Sequence, residues 1–196
     1  PSMLMNYALD LFNDGQLEAA LEKDQEAFAL LSKHTREDVL PEVRERLVSV
    51  YCYHLLQAEL YEELVEIAAS PLAIDCGPTA SIEYVHGLAL LKLERFEEAI
   101  EPFRKGIAKR DEPAFTARFK GVKGNGPHHL LADCLAKTGQ EETATAEYEQ
   151  ALEMAPEATS VRHGYAHYLT ELEQPEKAVK LLFDAIENGS IDARLW

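Results

Sequence analysis

The sequence predicts an all-α protein in which about five helix pairs stack into a right-handed superhelical solenoid. Two observations carry this prediction. Apolar residues recur at spacings of three and four, the period of a helix, while the period-two alternation that marks a strand is nearly absent. In addition, small and large apolar residues recur 34 residues apart. Such a fixed period indicates stacked copies of one structural unit.

Ten helices are predicted from apolar stripes that each occupy one side of a helix. Gly15, Pro71, Gly139 and Gly189 mark breaks between them. Pro102 falls inside a predicted helix, where it should produce a kink rather than a break. The predicted helices cover residues 3–13, 17–32, 41–56, 59–69, 80–92, 96–110, 127–137, 141–153, 160–171 and 175–188.

The repeat is clearest in the second half of the chain. Five pairs of residues lie 34 apart there, namely Ala132 and Ala166, Leu135 and Leu169, Ala144 and Ala178, Tyr148 and Leu182, and Ala151 and Ala185. An offset of 45, which is 34 plus an insert of 11, brings in Gly87, Leu90, Ala99 and Phe103, and the first repeat keeps the same spacing in Ala8, Leu11, Gly15, Leu17 and Ala20. The small residues should let paired helices approach, and Phe103, Tyr148 and Leu182 should fill the gap to the next repeat.

A period of 34 on paired helices, with these small and large positions, resembles the tetratricopeptide repeat family. The resemblance covers 1–34 and 80–192, and leaves 35–79 as a divergent helix pair in which Leu64 stands where Ala is usual. The signature Trp of the repeat is absent from the clear repeats, although Trp196 falls in its place if the frame continues.

We expect a single domain over 1–196 on this basis. Its parts are repeats near 1–34, 80–113, 125–158 and 159–192, the divergent helix pair 35–79, an insert at 114–124, and the start of a further repeat or a capping helix at 193–196. Trp196 is expected to pack on the last helix. An end left open in this way also favours end-to-end self-association.

A second resemblance links the chain to the repeat tails that follow the catalytic domain of some bacterial family 2 glycosyltransferases. It rests on a degraded helix pair, a repeat, an insert that ends in the stretch Gly121–Gly126, and then a further repeat. The sequence has no Asp-x-Asp motif to hold a nucleotide-sugar metal. The resemblance therefore implies an accessory module of a larger enzyme, and not a catalytic domain.

Family resemblance implies that the first helix of each repeat lines a concave groove. The groove positions form three columns, which hold Tyr84, His129 and His163, then Leu88, Asp133 and His167, then Lys92, Lys137 and Glu171. The family's carboxylate clamp for chaperone tails needs Lys and Asn in these columns. Only Lys92 and Lys137 fit, so a different peptide or protein segment is the expected ligand.

Histidines in these columns leave two interpretations open. His129 and Asp133, and His163 and His167, are pairs four residues apart, and each pair can present both side chains on one helix face. Imidazole and carboxylate suit a divalent transition metal. The alternative is a polar groove without metal, and no metal or cofactor is expected. Catalysis is not expected either, because Cys134 adjoins Asp133 on the helix and adjacent helical residues do not face each other.

Composition restricts the partners further. Lys plus Arg is 19 and Asp plus Glu is 35, a formal net charge of −16, so nucleic acid and anionic membranes are not expected partners. No apolar run approaches the ~20 residues of a membrane span. The three cysteines are odd in number and widely spaced, which favours reduced thiols in a cytoplasmic protein.

Overall fold

The computed structural model of the protein describes residues 1–35, 37–111 and 122–187. Most of the predicted insert at 114–124 lies outside the described residues, as does Trp196, so the packing of this side chain stays a prediction. The chain divides into two compact units, Pro1–Lys120 and Gly121–Trp196.

Helices make up the regular structure of both units. The described part of the first unit contains α1 (Ser2–Asn13), α2 (Leu17–Leu31), α3 (Pro41–Gln57), α4 (Tyr61–Ala68), α5 (Pro71–Cys76), α6 (Ala80–Lys92) and α7 (Phe96–Ala108). The described part of the second contains α8 (Gly126–Lys137), α9 (Glu141–Met154), α10 (Thr159–Glu171) and α11 (Pro175–Glu187). No strand occurs within these ranges, which confirms the all-α prediction. None of the described helices combines the length and apolar character needed to cross a membrane.

All ten predicted helices are present, and α5 is an additional one. Ser70 begins it, because the Ser70 hydroxyl accepts a hydrogen bond from the backbone N–H of Ala73 at 3.2 Å. Pro71 follows at the first helical position, where its missing N–H costs nothing. Pro71, predicted as a break between helices, therefore also starts one.

One type of turn joins the two helices of all five pairs, α1–α2, α3–α4, α6–α7, α8–α9 and α10–α11. Its central residue has positive φ, and these residues are Gly15, Glu59, Glu94, Gly139 and Glu173. The next residue donates its backbone N–H to the carbonyl of a leucine five positions earlier, at 2.8–3.0 Å. This is the bond that ends a helix in a Schellman motif. The divergent pair α3–α4 therefore keeps the turn of the clear repeats.

Close approach of α6 and α7 depends on Gly87. A Cβ added at this residue would lie 2.8 Å from Cε1 of the Phe103 ring, which is fully buried. Ala99 is also fully buried in the same helix pair. The predicted combination of small residues with a large aromatic one is therefore present here. α7 continues through Pro102 without a break.

A buried polar pair stands in the first unit, where α3 packs against α1 and α2. Asp24 and His54 are both fully buried, and His54 Nδ1 lies 2.5 Å from Asp24 Oδ2. Phe12 of α1 stacks on the imidazole with ring centroids 4.4 Å apart. Burial raises the pKa of Asp24, because the interior disfavours the charged carboxylate.

Buried polar residues also occupy the position of the missing signature Trp. Glu83, His128 and Arg162 stand four residues before the small residue of their repeats, and each is nearly inaccessible to solvent. Glu83 lies 3.6 Å from Lys109 Nζ, and His128 Nδ1 lies 2.7 Å from Glu147 Oε2. Arg162 donates to a backbone carbonyl of α11 at 3.4 Å. These contacts join the first helix of each repeat to its second helix.

Candidate functional site

Six of the nine predicted groove residues lie in the second unit, on α8 and α10. They are His129, Asp133 and Lys137 on α8, and His163, His167 and Glu171 on α10. The other three, Tyr84, Leu88 and Lys92, lie on α6 of the first unit. The two sets therefore belong to different units, and a single surface formed by all nine stays a prediction.

The inner part of the α8–α10 surface is a polar network around Asp133. Tyr148 of α9 donates its hydroxyl to Asp133 Oδ1 at 2.5 Å, and His129 Nε2 lies 3.6 Å from Asp133 Oδ2. Gly164 of α10 makes room for the imidazole, because a Cβ there would lie 2.8 Å from His129 Nε2. Thus His129, predicted as a groove residue, is mostly enclosed by its neighbours, with 17% of its side chain exposed.

Aromatic side chains hold Tyr148 in place. Tyr165 stacks on it with ring centroids 5.1 Å apart and an interplanar angle of 12°, and Tyr168 lies at 5.6 Å. Burial, followed by the negative charge of Asp133, raises the pKa of Tyr148 well above its usual range. The hydroxyl therefore stays protonated and acts as a fixed donor to Asp133.

The outer part of the surface is an exposed group of three charged or ionisable side chains. Glu171 Oε1 lies 3.7 Å from Lys137 Nζ and 3.7 Å from His167 Nδ1, so one carboxylate lies beside both side chains. All three side chains are about half exposed or more. Because strong charge-assisted hydrogen bonds are about 1 Å shorter, these contacts leave the groups able to accept other partners.

His163 and His167 border an open pocket of about 350 Å³ between α10 and α11. Its remaining walls are mainly apolar and come from Ala166, Thr170, Pro175, Ala178, Val179 and Leu182. The two histidines, four residues apart, are both exposed. The predicted pairing of these side chains on one helix face therefore agrees with their placement.

In the first unit, the three groove residues differ in exposure. Tyr84 is partly buried and packs edge-on against Phe103, with ring centroids 6.2 Å apart. Burial raises its pKa. Leu88 is half-buried and Lys92 is exposed. A ligand-contacting role for these residues stays a prediction.

Tyr148 is the member of the site that sequence reasoning missed. The repeat alignment gave it only a packing role, since Phe103 and Leu182 hold the same position in neighbouring repeats. Of these three residues, only Tyr148 has a hydroxyl, and Asp133 is the acceptor that receives it. The signal available in the sequence was the Tyr148 hydroxyl, at a position that apolar side chains fill in the neighbouring repeats.

Metal-ligating side chains and thiols are the remaining candidates for chemistry in the described residues. Within the described ranges, no three His, Cys, Asp or Glu side chains come together as a metal-binding group. The thiols of Cys52 and Cys134 are buried, and burial raises the pKa of each to about 12. Neither thiol is therefore an activated nucleophile.

Comparison with known proteins agrees with this architecture. Residues 127–157, which cover α8 and α9, match the tetratricopeptide repeat family profile. No curated protein matches the sequence.

Among solved structures, the chain is similar to YrrB, described as a TPR protein with an unusual peptide-binding site. Identity is 19% and the TM-score 0.72, over 94% of this chain and 84% of that one. A structure of MamA gives 13% identity and a TM-score of 0.74, over 94% and 89% of the two chains. MamA from Desulfovibrio magneticus RS-1 gives 16% identity and a TM-score of 0.73, over 97% and 96%.

These likenesses show the fold, and they confirm the predicted class of helical solenoid. The resemblance to glycosyltransferase tails stays a prediction. The chain has the tetratricopeptide-repeat fold and carries a sequence repeat of that family at residues 127–157.

Proposed function

We propose that the protein is a non-catalytic scaffold that binds a peptide or protein segment on the surface of α8 and α10. One observation carries this proposal. His163, His167 and Glu171 form an exposed line along α10, whereas Tyr165 and Tyr168 of the same helix are buried. The buried tyrosines therefore supply the packing of α10, and the exposed side chains of the line are accessible to a ligand.

The geometry of the exposed line suits a ligand with polar groups. Exposed ion pairs contribute ~0–1 kcal/mol, so exchanging the contacts of Glu171 for ligand contacts costs little. A ligand carboxylate can bind Lys137 and His167, while a ligand N–H group can donate a hydrogen bond to Glu171. Beside them, the Tyr148–Asp133 pair supplies a rigid, mostly buried base for this surface.

Three further points support a protein ligand and a cytoplasmic location. YrrB, with the same fold, is described as having a peptide-binding site. The net charge of −16 opposes binding to nucleic acid. Cys52 and Cys134 are buried free thiols, which agrees with the reducing environment of the cytoplasm.

A selection of peptides from a displayed library tests this function. The best binder would be measured by fluorescence anisotropy against a variant with Lys137→Ala, His167→Ala and Glu171→Ala. A matched control replaces Lys33, His34 and Glu37, which are the same three residue types, exposed in the first unit. We expect the first variant to lose affinity by about tenfold or more, the cost of about 1.4 kcal/mol of contacts, while the control binds normally.

Equal binding by both variants and the unmodified protein would place the ligand elsewhere. Loss of binding in the control would show that charge removal alone weakens the interaction. Circular dichroism checks that each variant keeps its helical content.

A further inference from the structure

The first and last helices of the structure each expose a pair of large apolar side chains. On α1, Met3 is 87% exposed and Tyr7 is 52% exposed. On α11, Val179 is 53% exposed and Phe183 is 60% exposed. In each pair the residues are four apart, so both side chains lie on one face of their helix.

The repeat alignment relates the exposed face of α1 to a buried face of α10. Because Ala8 aligns with Ala166, Met3 and Tyr7 hold the positions that Val161 and Tyr165 hold in α10. Val161 is fully buried and Tyr165 is 8% exposed. α1 therefore presents on its surface the apolar positions by which α10 packs onto the preceding repeat.

The contacts of Tyr165 define the receiving side, which is the surface of the preceding repeat onto which α10 packs. Its ring stacks on Tyr148, and its hydroxyl donates to Glu149 Oε1 at 3.4 Å. One repeat later, these two positions are held by Leu182 and Phe183 of α11. Leu182 lines the open α10–α11 pocket and Phe183 is exposed, so the receiving positions of the last pair are apolar and accessible.

Charges at the two ends do not oppose this match. α1 has no basic residue, and its Asp10 holds the position of Tyr168. The Tyr168 hydroxyl reaches the backbone oxygen of Glu141, the first residue of α9, at 3.5 Å. The corresponding point on the last pair is the first turn of α11, which contains Glu176 and Lys177, whose charges cancel. A carboxylate such as that of Asp10 is favourable near a helix N-terminus.

We propose that a second copy of the chain docks its α1 on the α10–α11 face, with Tyr7 against Leu182 and Phe183. The two surfaces differ, so the contact is heterologous and each added copy exposes a fresh receiving face. Within the second unit, Asp133 and Lys137 keep substantial exposure while α10 packs beside them. The equivalent residues His167 and Glu171 would likewise stay accessible, whereas His163, which is equivalent to the mostly enclosed His129 and lines the same pocket as Leu182, would be covered by the second copy.

Two variants with complementary defects test the head-to-tail contact. Tyr7→Glu blocks the α1 face, and Phe183→Glu blocks the α11 face. Sedimentation equilibrium at moderate salt, where the acidic surface is screened, gives the mass of each protein over a range of concentrations. We expect the unmodified chain to exceed its monomer mass of 22.0 kDa increasingly with concentration, and each variant alone to stay at 22.0 kDa.

An equimolar mixture of the two variants is the decisive sample. Each variant keeps one intact face, so the mixture should form a complex of two chains and nothing larger. Ile74→Glu is the matched control, because Ile74 is 62% exposed on α5 and has no part in the contact. This control should associate like the unmodified chain, and circular dichroism should show that all variants are folded.

Other outcomes contradict the proposal. An unmodified chain that stays monomeric throughout the concentration range would show that the α11 face is covered within one chain or binds a different partner. Association of Tyr7→Glu alone would indicate contact between two α11 faces. A mixture that stays monomeric would exclude pairing of α1 with α11.

Discussion

Adding a methyl group at Gly87 tests how closely α6 and α7 pack. Gly87→Ala places a Cβ 2.8 Å from the buried Phe103 ring, so the ring or α6 must move. Overpacking of this kind costs about 1–3 kcal/mol, more than the ~1 kcal/mol that Ala gains over Gly in a helix. Urea unfolding should therefore show a lower free energy of unfolding for Gly87→Ala.

Gly106→Ala is the control for this substitution. A Cβ at Gly106 of α7 would have its nearest neighbour, the backbone oxygen of Ala80, at 3.5 Å, an ordinary contact distance. Helix propensity alone then acts, and the variant should gain up to about 1 kcal/mol. If Gly87→Ala were equally stabilising, close approach of Gly87 to Phe103 would be wrong.

At the scale of elements, the turn shared by the five helix pairs is formed by two kinds of residue. Gly15 and Gly139 adopt positive φ without strain, whereas Glu59, Glu94 and Glu173 adopt φ of 57° with a side chain. A side chain in this left-handed region costs about 1–2 kcal/mol, partly offset by the greater freedom of Gly in the unfolded chain.

Glu94→Gly should therefore raise the free energy of unfolding by up to about 1 kcal/mol. The same substitution at Glu101, an exposed position inside α7, should lower it by about 1 kcal/mol because helical Gly is unfavourable. Urea unfolding of both variants provides the comparison. A loss of stability in both would mean that the Glu94 side chain contributes more than its backbone strain costs.

His86 makes the stability of α6 dependent on pH. Burial, and then the positive charges of Arg95 and Lys105, lower the pKa of His86 to about 4. The unfolded chain binds a proton at this residue near pH 6.5 and the folded chain does not, so acidification favours unfolding. The stability contributed by neutral His86 is complete above about pH 6.5 and is lost as the pH falls to about 4.

Replacing His86 by Gln removes the imidazole that binds a proton in the unfolded chain. The unmodified protein should lose up to about 3 kcal/mol more than His86→Gln between pH 6.5 and 4, measured as the change in urea unfolding free energy. Parallel curves for the two proteins over this range would show that His86 accepts a proton without loss of the fold.

At the scale of the whole molecule, the repeat pattern predicted what recurs, and it could not predict what differs between repeats. Spacing alone predicted the helices and the small residues Gly87 and Ala99 between them, but it assigned Phe103 to the gap before the next repeat, whereas the ring lies against Gly87 in the same helix pair. The positive φ at Glu59, Glu94 and Glu173 could not be predicted, because Glu is not a residue type that favours a left-handed conformation. The fully buried Asp24–His54 pair joins two helices. Its two residues are 30 positions apart in the sequence, so no local sequence pattern predicts their contact.

The candidate site was predicted by the same alignment, and with the same limit. Alignment placed His163, His167 and Glu171 on one exposed line of α10. It could not show that His129 is enclosed, because this depends on Gly164 of the next repeat and on the Tyr148 hydroxyl. Exposure is a property of the packed helices, and a single helix does not reveal it.

The charge of the α8–α10 surface should decide how well an acidic ligand binds. Asp133, Glu171 and Lys137 sum to one negative charge, which disfavours an acidic ligand. Glu171 is exposed and lies 3.7 Å from Lys137 Nζ, so its carboxylate offsets the charge of the lysine. Replacing Glu171 by Gln should therefore bring this sum to zero and leave Lys137 available to a ligand carboxylate.

An acidic peptide from the library selection should consequently bind Glu171→Gln up to about fivefold more tightly than the unmodified protein, the value of an exposed charge pair of about 1 kcal/mol. Fluorescence anisotropy titrations measure this difference, and the helical content should not change, since Glu171 is exposed. Glu37→Gln should leave the affinity unchanged, because Glu37 is also exposed but lies in the first unit. Equal affinities of Glu171→Gln and the unmodified protein would show that the ligand is not attracted by positive charge on this surface, and weaker binding by Glu171→Gln would show that the Glu171 carboxylate itself contacts the ligand.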